Sequence, residues 1–528
     1  MSAHLSESDT VPSHPAKRPT GWLTIQLAAA AALVALADLL FYSHRLGISL
    51  ALFLAALALA SACLNPVRAE AARRWHAALL FTAGLLPIVE NIGWLSVTIA
   101  LLATAISARM LSEPRALSWP EQLRAALRLP FSGPFRLLGD LIRASRSGRR
   151  RQAKSGVFAA LLGWAVPLLL CAVFAGLFVS ANPLLESWLN RIDIPAILEQ
   201  LFSGRSLFWA VILCLIWPLI RIRSLRRRKR GVSKLPALAV ATNPLDLFND
   251  LTIKRCLILF NGLFAIQTAM DLAYLWGGAS LPAGLTHAGY AHRGAYPLVV
   301  TALLAAAFVL VAMRPSGAGA RSPLVKGLVL AWVGQNIMLM LSALLRLKLY
   351  VDAYSLTELR MAAFIWMLLV AAGLVLILVQ ILSQRTVGWQ LSANATALAL
   401  TLYAYSFVDT AVVIANYNIR HSYEMRGTGQ RIDVAYLRAL GPGVIPAIDR
   451  YAPRIAAAGK APACAQWGWA QETMANRRNE LARRHQAAQI DWRAWSFRDW
   501  RLSRYLAAVP EATFKAILQA PAGTPEEK

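Results

Sequence analysis

Apolar runs of roughly membrane-spanning length recur through this chain as far as residue 414, and no other feature constrains its fold as tightly. A helix needs about 20 apolar residues to cross a bilayer core. A lipid-facing backbone must also close its own hydrogen bonds. Eleven runs meet or approach that length: 22–42, 46–64, 75–89, 92–110, 156–180, 207–222, 256–276, 295–313, 327–345, 361–382 and 392–414. They are continuous rather than alternating, which favours helices over barrel strands. Only 15% of the 528 residues are charged, against about a quarter in soluble domains. The expected fold is an all-α polytopic membrane bundle of about eleven transmembrane helices, with a small helical C-terminal extramembrane domain. The expected divisions are a polar N-terminal tail at 1–21, a transmembrane domain at 22–414 and the C-terminal domain at 415–528.

Charge sets the expected orientation. The chain carries 54 Lys and Arg against 27 Asp and Glu, an excess that in a soluble protein would point to nucleic acid. Here the basic residues gather in loops between apolar runs, so topology accounts for them and no nucleic-acid partner is expected. With the N-terminus cytoplasmic, 30 basic residues fall on inner segments and 7 on the short outer loops. Eleven crossings then carry the tail to the periplasmic side. The expected location is a bacterial inner membrane. The largest inner loops, 111–155 and 223–253, are strongly basic, and 221–235 is a dense cationic run. Residues 115–151 interleave Arg with Leu, Phe and Ile, an amphipathic stretch expected to break at Pro130 and Pro134. Anionic inner-leaflet lipid is the expected partner of these loops. A membrane or cytoplasmic protein is the other use of them. The polar first 20 residues and the long run after them read as a retained first helix rather than a cleaved signal.

Ionisable groups inside apolar runs are costly and often functional. Asp38, Glu90, Asp271 and Asp409 lie within or at the edges of spans, each near the expected outer end. The outer loops add Tyr290, Arg293, Arg346, Glu358 and Arg360. These nine residues form a candidate polar cavity open to the outside. Pairing of the acids with the arginines as a purely structural network is the alternative. Asn261, Gln267, Gln335 and Asn336 add amides to the seventh and ninth spans, where bonds between helices are the simpler role. The five cysteines form no CxxC. His287 and His292 have weak metal spacing, so no metal and no cofactor are expected. No phosphate-binding loop, dinucleotide fingerprint, zinc-protease motif or nucleophile elbow occurs. In the tail, Gly441-Pro442-Gly443 marks a break between helical pieces at 430–440 and 443–457, and a longer helix follows at 466–488. Five tryptophans crowd its second half, suiting a compact core or docking at a membrane interface.

Two outer loops carry a family likeness. One runs Tyr290-Ala291-His292-Arg293-Gly294 into the eighth span, and the other runs Tyr354-Ser355-Leu356-Thr357-Glu358-Leu359-Arg360 into the tenth. Ala37 to Tyr42, Asn416 to Asn418 and Asp433 to Leu437 add to it. Together they resemble a bacterial integral membrane family known as a domain of unknown function, family 4173, with 4153 a close relative. Its marks are Tyr-Ala-Arg-x-Gly-Phe and Tyr-Gly-Leu-Thr-x-x-Arg. Here His292 stands for the Arg, Ala295 for the Phe and Ser355 for the Gly. The resemblance implies a multi-span inner-membrane protein and no particular activity. The expected function is a sensing or envelope-associated accessory component with an outward-facing polar cavity. A transporter for a small solute, ion or lipid is the first alternative, and a membrane enzyme on a lipid-linked substrate the second. The balance leans away from an enzyme.

Overall fold

In the computed structural model the apolar runs that are described close their hydrogen bonds as α-helices, and among the described residues every regular element is helical. The structure describes residues 22–67, 69–113, 118–149, 204–222, 250–277, 300, 304, 322–459, 468–488 and 491–514. The N-terminal tail, the run at 156–180, the segment 181–203, and most of the run at 295–313 and of the second basic loop lie outside them. Among the described residues five helices are long and apolar enough to cross a membrane, or six if one bent pair counts as a single span. The chain is thus a helical membrane-type protein, and the figure of eleven stays with the proposed topology.

Contacts divide the chain into two compact units, one of residues 1–226 with 491–496, the other of 227–490 with 497–528. The first holds α1 (Trp22–Phe41), α2 (Ile48–Leu64), α3 (Ala71–Glu90), α4 (Trp94–Ser112), α5 (Trp119–Leu127), α6 (Leu129–Arg149) and α7 (Gly204–Ile220). Leu33, Ala37, Leu54, Ile88, Trp217 and Ile220 anchor its core. α3 and α4 form a tight hairpin because Gly84 lets Ala103 approach, and a Cβ on Gly84 would collide with that of Ala103. Small residues allow such close helix pairs where lipid supplies no hydrophobic drive. Asn65 ends α2 and binds the end of α7, donating to Leu219 O at 3.0 Å and Ile220 O at 3.1 Å and accepting from Ile222 N at 2.9 Å.

The amphipathic stretch is helical on both sides of Arg128, so its break precedes the expected one at Pro130. Proline fits the first turn of a helix, whose amide there needs no partner, and Pro130 opens α6 in that way. Pro134 is carried inside α6. Asp140, buried on α6, faces Trp217 Nε1 at 3.3 Å and Arg221 at 3.4 Å, while Phe131 and Phe135 are exposed. The stretch thus shows a polar inner anchor and an aromatic outer face.

The second unit holds α8 (Asp250–Asp271), a single π-turn at Leu272–Trp276, α9 (Pro323–Tyr354), α10 (Glu358–Leu382), α11 (Val387–Tyr405) and α12 (Thr410–Arg420). α11 and α12 are the bent pair, crossing at 74°. The expected run through 392–414 is therefore two helices. Phe407 and Val408 keep the sequence apolar across the bend, which hides it from a hydropathy reading. α9 reaches Tyr354 rather than ending near 345, because Leu347 and Val351 continue its buried face.

The tail adds α13 (Tyr423–Arg426), α14 (Val434–Ala439), α15 (Ile445–Gly459), α16 (Gly468–Ala488) and α17 (Phe497–Ala508). Gly441 takes φ +87°, and a 3₁₀ turn at Pro442–Val444 leads into α15, the break the sequence predicts. Val444, Ile445, Ile448, Leu481 and Leu502 share the tail core. Through it runs Arg478, which is 1% exposed. Its guanidinium grips Asp449 at 3.1 and 3.0 Å, donates to Val509 O at 2.7 Å, and lies 4.7 Å from the Phe514 ring. Tyr505 donates to the same Asp449 at 3.1 Å, and burial with that carboxylate pushes its phenol pKa up to about 12. Removing one partner of a buried pair leaves the other uncompensated, at a cost of about 3–5 kcal/mol. Arg478→Ala is therefore expected to strip hydrogen-exchange protection from α15, α16 and α17 while leaving α1 to α4 protected.

Candidate functional site

In the first unit Asp38 stands in the last turn of α1. Two oxygens meet Arg205 on α7, Nε at 2.9 Å and an NH2 at 2.5 Å, and Trp209 Nε1 donates to Oδ1 at 2.8 Å. The same guanidinium lies 5.2 Å from the Tyr42 ring and 5.7 Å from Trp209. A bidentate Arg–carboxylate pair with a third donor is a strong, oriented arrangement. Sequence reading counts Arg205 only as a loop charge, because 167 positions separate it from Asp38. Glu90 is the last residue of α3.

In the second unit Asp271, 1% exposed, closes α8 where the helix widens into the π-turn. Gln267 donates to it at 3.0 Å, and Arg346 forms an ion pair with it. The sequence assigns Arg346 to an outer loop. The extension of α9 instead puts it on that helix, 3% exposed. Further along the same pair of elements, Trp276 Nε1 donates to Ser342 Oγ at 3.2 Å. Two polar contacts thus join the end of α8 to α9.

Asp409, expected from the sequence inside a span, is instead the N-cap of α12 at the bend. Its Oδ1 accepts Val412 N at 3.3 Å and its other oxygen lies 3.6 Å from Arg498 Nε. An N-cap must leave helical geometry while its side chain takes an orphan amide, so the bend and the acid go together. Tyr290 and Arg293 lie outside the described residues, as do His287 and His292. No group of three metal-ligating side chains occurs among the described residues.

The α9–α10 turn is where motif residues gather. Thr357 caps α10 by accepting Arg360 N. Arg360 then turns back, donating to Tyr354 O at 2.5 Å and to Ser355 O, with its guanidinium 4.6 Å from the Tyr350 ring. Asn418 on α12 holds Leu356 from both sides, accepting its amide at 2.7 Å and donating to its carbonyl at 2.9 Å. Glu358 N donates to the Tyr436 hydroxyl at 3.1 Å, and Tyr417 donates to Asp352 at 2.8 Å. Between turn and tail lies a cleft of about 220 Å³. One wall is Tyr354 to Thr357. The other is Asn418 and the segment from Gln430 to Asp433, with Tyr436 and Leu437. Arg431 and Asp433 are exposed there, and Asp433 also caps α14 by accepting Tyr436 N at 2.8 Å. Of the nine residues expected to line one polar cavity, Glu358 and Arg360 adjoin this cleft. Asp271 and Arg346 pair inside the bundle, and Asp38 pairs separately in the first unit. The cleft residues Asn418, Asp433 and Tyr436 are absent from those nine, although all stand in stretches that carry the family likeness.

The tail brings His485 Nε2 to 2.9 Å from Ser503 Oγ, with Nδ1 3.8 Å from Asp499. The order imitates a nucleophile–base–acid row. Ser503, however, is mid-helix, where its amide is bonded within α17, so it cannot build the usual oxyanion donor. The group is a buried polar tie between α16 and α17.

Ser355 has φ +65° and ψ 166°, a region that glycine alone occupies readily and that costs other residues about 1–3 kcal/mol. Ser355→Gly should therefore stabilise the turn by about 1 kcal/mol, read as a raised midpoint in thermal unfolding; Ser355→Val should lower it. Burial pulls the His485 imidazolium below its ordinary value of 6.5, partly opposed by Asp499. The unfolded chain then takes up a proton that the folded chain resists. Stability should be flat well above pH 6.5 and fall as pH drops below it, and His485→Gln should remove the part of that slope just below pH 6.5.

Neither a curated protein nor a solved structure matches the chain. The family described as Domain of unknown function (DUF4153) matches residues 27–451, from α1 into α15 and across the whole cleft. This is the relative of the family whose motifs the outer loops resemble. A match over that much of the chain places it: the protein belongs to the DUF4153 family.

Proposed function

We propose that this protein is a sensing or accessory component of a bacterial inner membrane, and that its receiving element is the cleft between the α9–α10 turn and the tail. The observation that carries the reading is the double hydrogen bond between Leu356 and Asn418 beside the Tyr436–Glu358 contact. These bonds seam a turn between two long apolar helices to the extramembrane segment. A ligand seated in the cleft would touch both sides of the seam, so occupancy and the tail's hold on α9 and α10 are linked. The cleft's hydrogen-bonding side chains and its Arg431 and Asp433 suit a small polar ligand rather than a hydrocarbon chain. In this reading the N-terminus is cytoplasmic, the cleft and tail face the periplasm, and about eleven spans separate them. The basic loops rest on anionic lipid or a cytoplasmic partner. The embedded acids hold helices together.

A transport reading has its own support. Asn336 is fully buried on α9, its neighbour Gln335 donates to Asn261 O at 3.3 Å, and the Asn336 Oδ1 has no hydrogen-bond partner among the described residues. Buried amides of that kind can line a solute path. An enzymatic reading would use Asp38, Asp271 or Asp409 as acid or base, and each of these already meets an arginine.

Cysteine accessibility separates the readings. In a variant cleared of native cysteines, single cysteines at Asp433, Leu356, Ser342 and Asn336 are treated in intact cells with a membrane-impermeant thiol reagent. The sensing proposal expects labelling at Asp433 that is reduced at Leu356 and absent at Ser342 and Asn336. Labelling that continues to Asn336 would replace it with transport.

A further inference from the structure

We propose that α17 is a peripheral membrane anchor, its outward face docking on the phosphate layer of anionic phospholipid. This stands apart from the cleft, and α17 lies beyond the stretch that matches the family. The helix is two-sided. Leu502 and Leu506 are buried in the tail core, and Tyr505 reaches Asp449 from the same side. On the other side Phe497 and Trp500 are stacked at 5.4 Å and remain well exposed. Arg501 lies over the Phe497 ring at 5.4 Å and Arg504 over Trp500 at 5.1 Å, and both arginines are exposed. Each ring thus holds a guanidinium on its face.

Position says what covers this face. Arg498, one residue into α17, donates to Phe407 O at 3.5 Å and pairs with Asp409. That ties the start of α17 to the bend where the apolar helix α11 stops, beside the exposed Phe407 and Val408. The end of a span is the depth of lipid headgroups, where Trp and Phe rings prefer to sit. Arginine offers a planar fork that matches phosphate, and ring contacts hold it in place. An aromatic and cationic face at that depth complements an anionic headgroup layer in both charge and polarity. A folded protein partner would have to compete with the bilayer for a surface that the end of α11 already brings to it.

The test uses the full chain in nanodiscs of phosphatidylcholine alone or with phosphatidylglycerol, read by hydrogen exchange. Peptides covering 497–508 are expected to exchange about thirtyfold more slowly with the anionic lipid, the scale two surface arginines give. Arg501→Glu with Arg504→Glu should abolish that difference while α16 stays protected, which shows the tail still folded. Trp500→Ala should reduce protection in both lipids. Equal exchange of 497–508 in the two nanodiscs, or an unchanged lipid response in the double variant, would overturn the proposal. So would protection that arises only when a membrane-protein extract is added, which would assign the face to a protein.

Discussion

A charged side chain carried into a hydrocarbon layer has to meet an opposite charge or a set of strong dipoles, and this requirement organises the helices here. Asp271 and Arg346 are almost completely buried and face each other across α8 and α9. Asp140 sits against Trp217 and Arg221 where α6 meets α7, and Arg109 pairs with Glu113 at the end of α4. The two pairs that cross between helices, Asp271 with Arg346 and Asp140 with Arg221, fix the rotation of the helices that carry them. A turn of either helix by about 100°, one residue's worth, would leave a charge facing lipid or apolar side chains. Apolar packing tolerates such slippage far better. The many leucines and alanines give these helices adhesion, and the few ion pairs give them register.

The same logic runs through the tail. Arg478 gathers α15, α16 and the end of α17 through one guanidinium that meets a carboxylate, a carbonyl and a ring. A small helical domain with a modest core gains specificity from such a hub, since no other side chain in the core could satisfy Asp449 and Val509 O together. This hub holds α15 against α16; α15 in turn packs beside α12, and α12 carries Asn418 to the α9–α10 turn. The geometry of the cleft therefore depends on a buried arginine several helices away from it.

How much of this is legible in the residues alone depends on the range of each interaction. Helices α1, α4, α8 and α10 begin and end within a few residues of their apolar runs, because hydropathy is a local property. The break at Gly441-Pro442-Gly443 is equally local. The bend at Asp409 is not visible, because Phe407 and Val408 fill the gap with apolar side chains, and only the capping role of the acid betrays it. Arg346 is misplaced in a loop because Arg and Lys near a span's end look like loop residues, whereas the spacing of Leu347 and Val351 carries α9 onward. The partnership of Asp38 with Arg205 and that of Leu356 with Asn418 join segments far apart in sequence. No periodicity or spacing records them. The family-like stretches are the one long-range hint, since residues 354–357, 418, 433, 436 and 437 prove to share one cleft.

That convergence bears on what the acids are for. A carboxylate used as a general acid or base needs a proton it can exchange near neutral pH and a route to substrate. A carboxylate held by a bidentate arginine has both oxygens occupied, which is the condition of Asp38. Asp271 is further enclosed by Gln267 and the bundle. Asp409 spends one oxygen on a helix terminus. The acids most conspicuous in the sequence are therefore the ones most committed to structure. The cleft is lined instead by backbone, an amide and hydroxyls beside Arg431 and Asp433, groups outside the set of embedded acids.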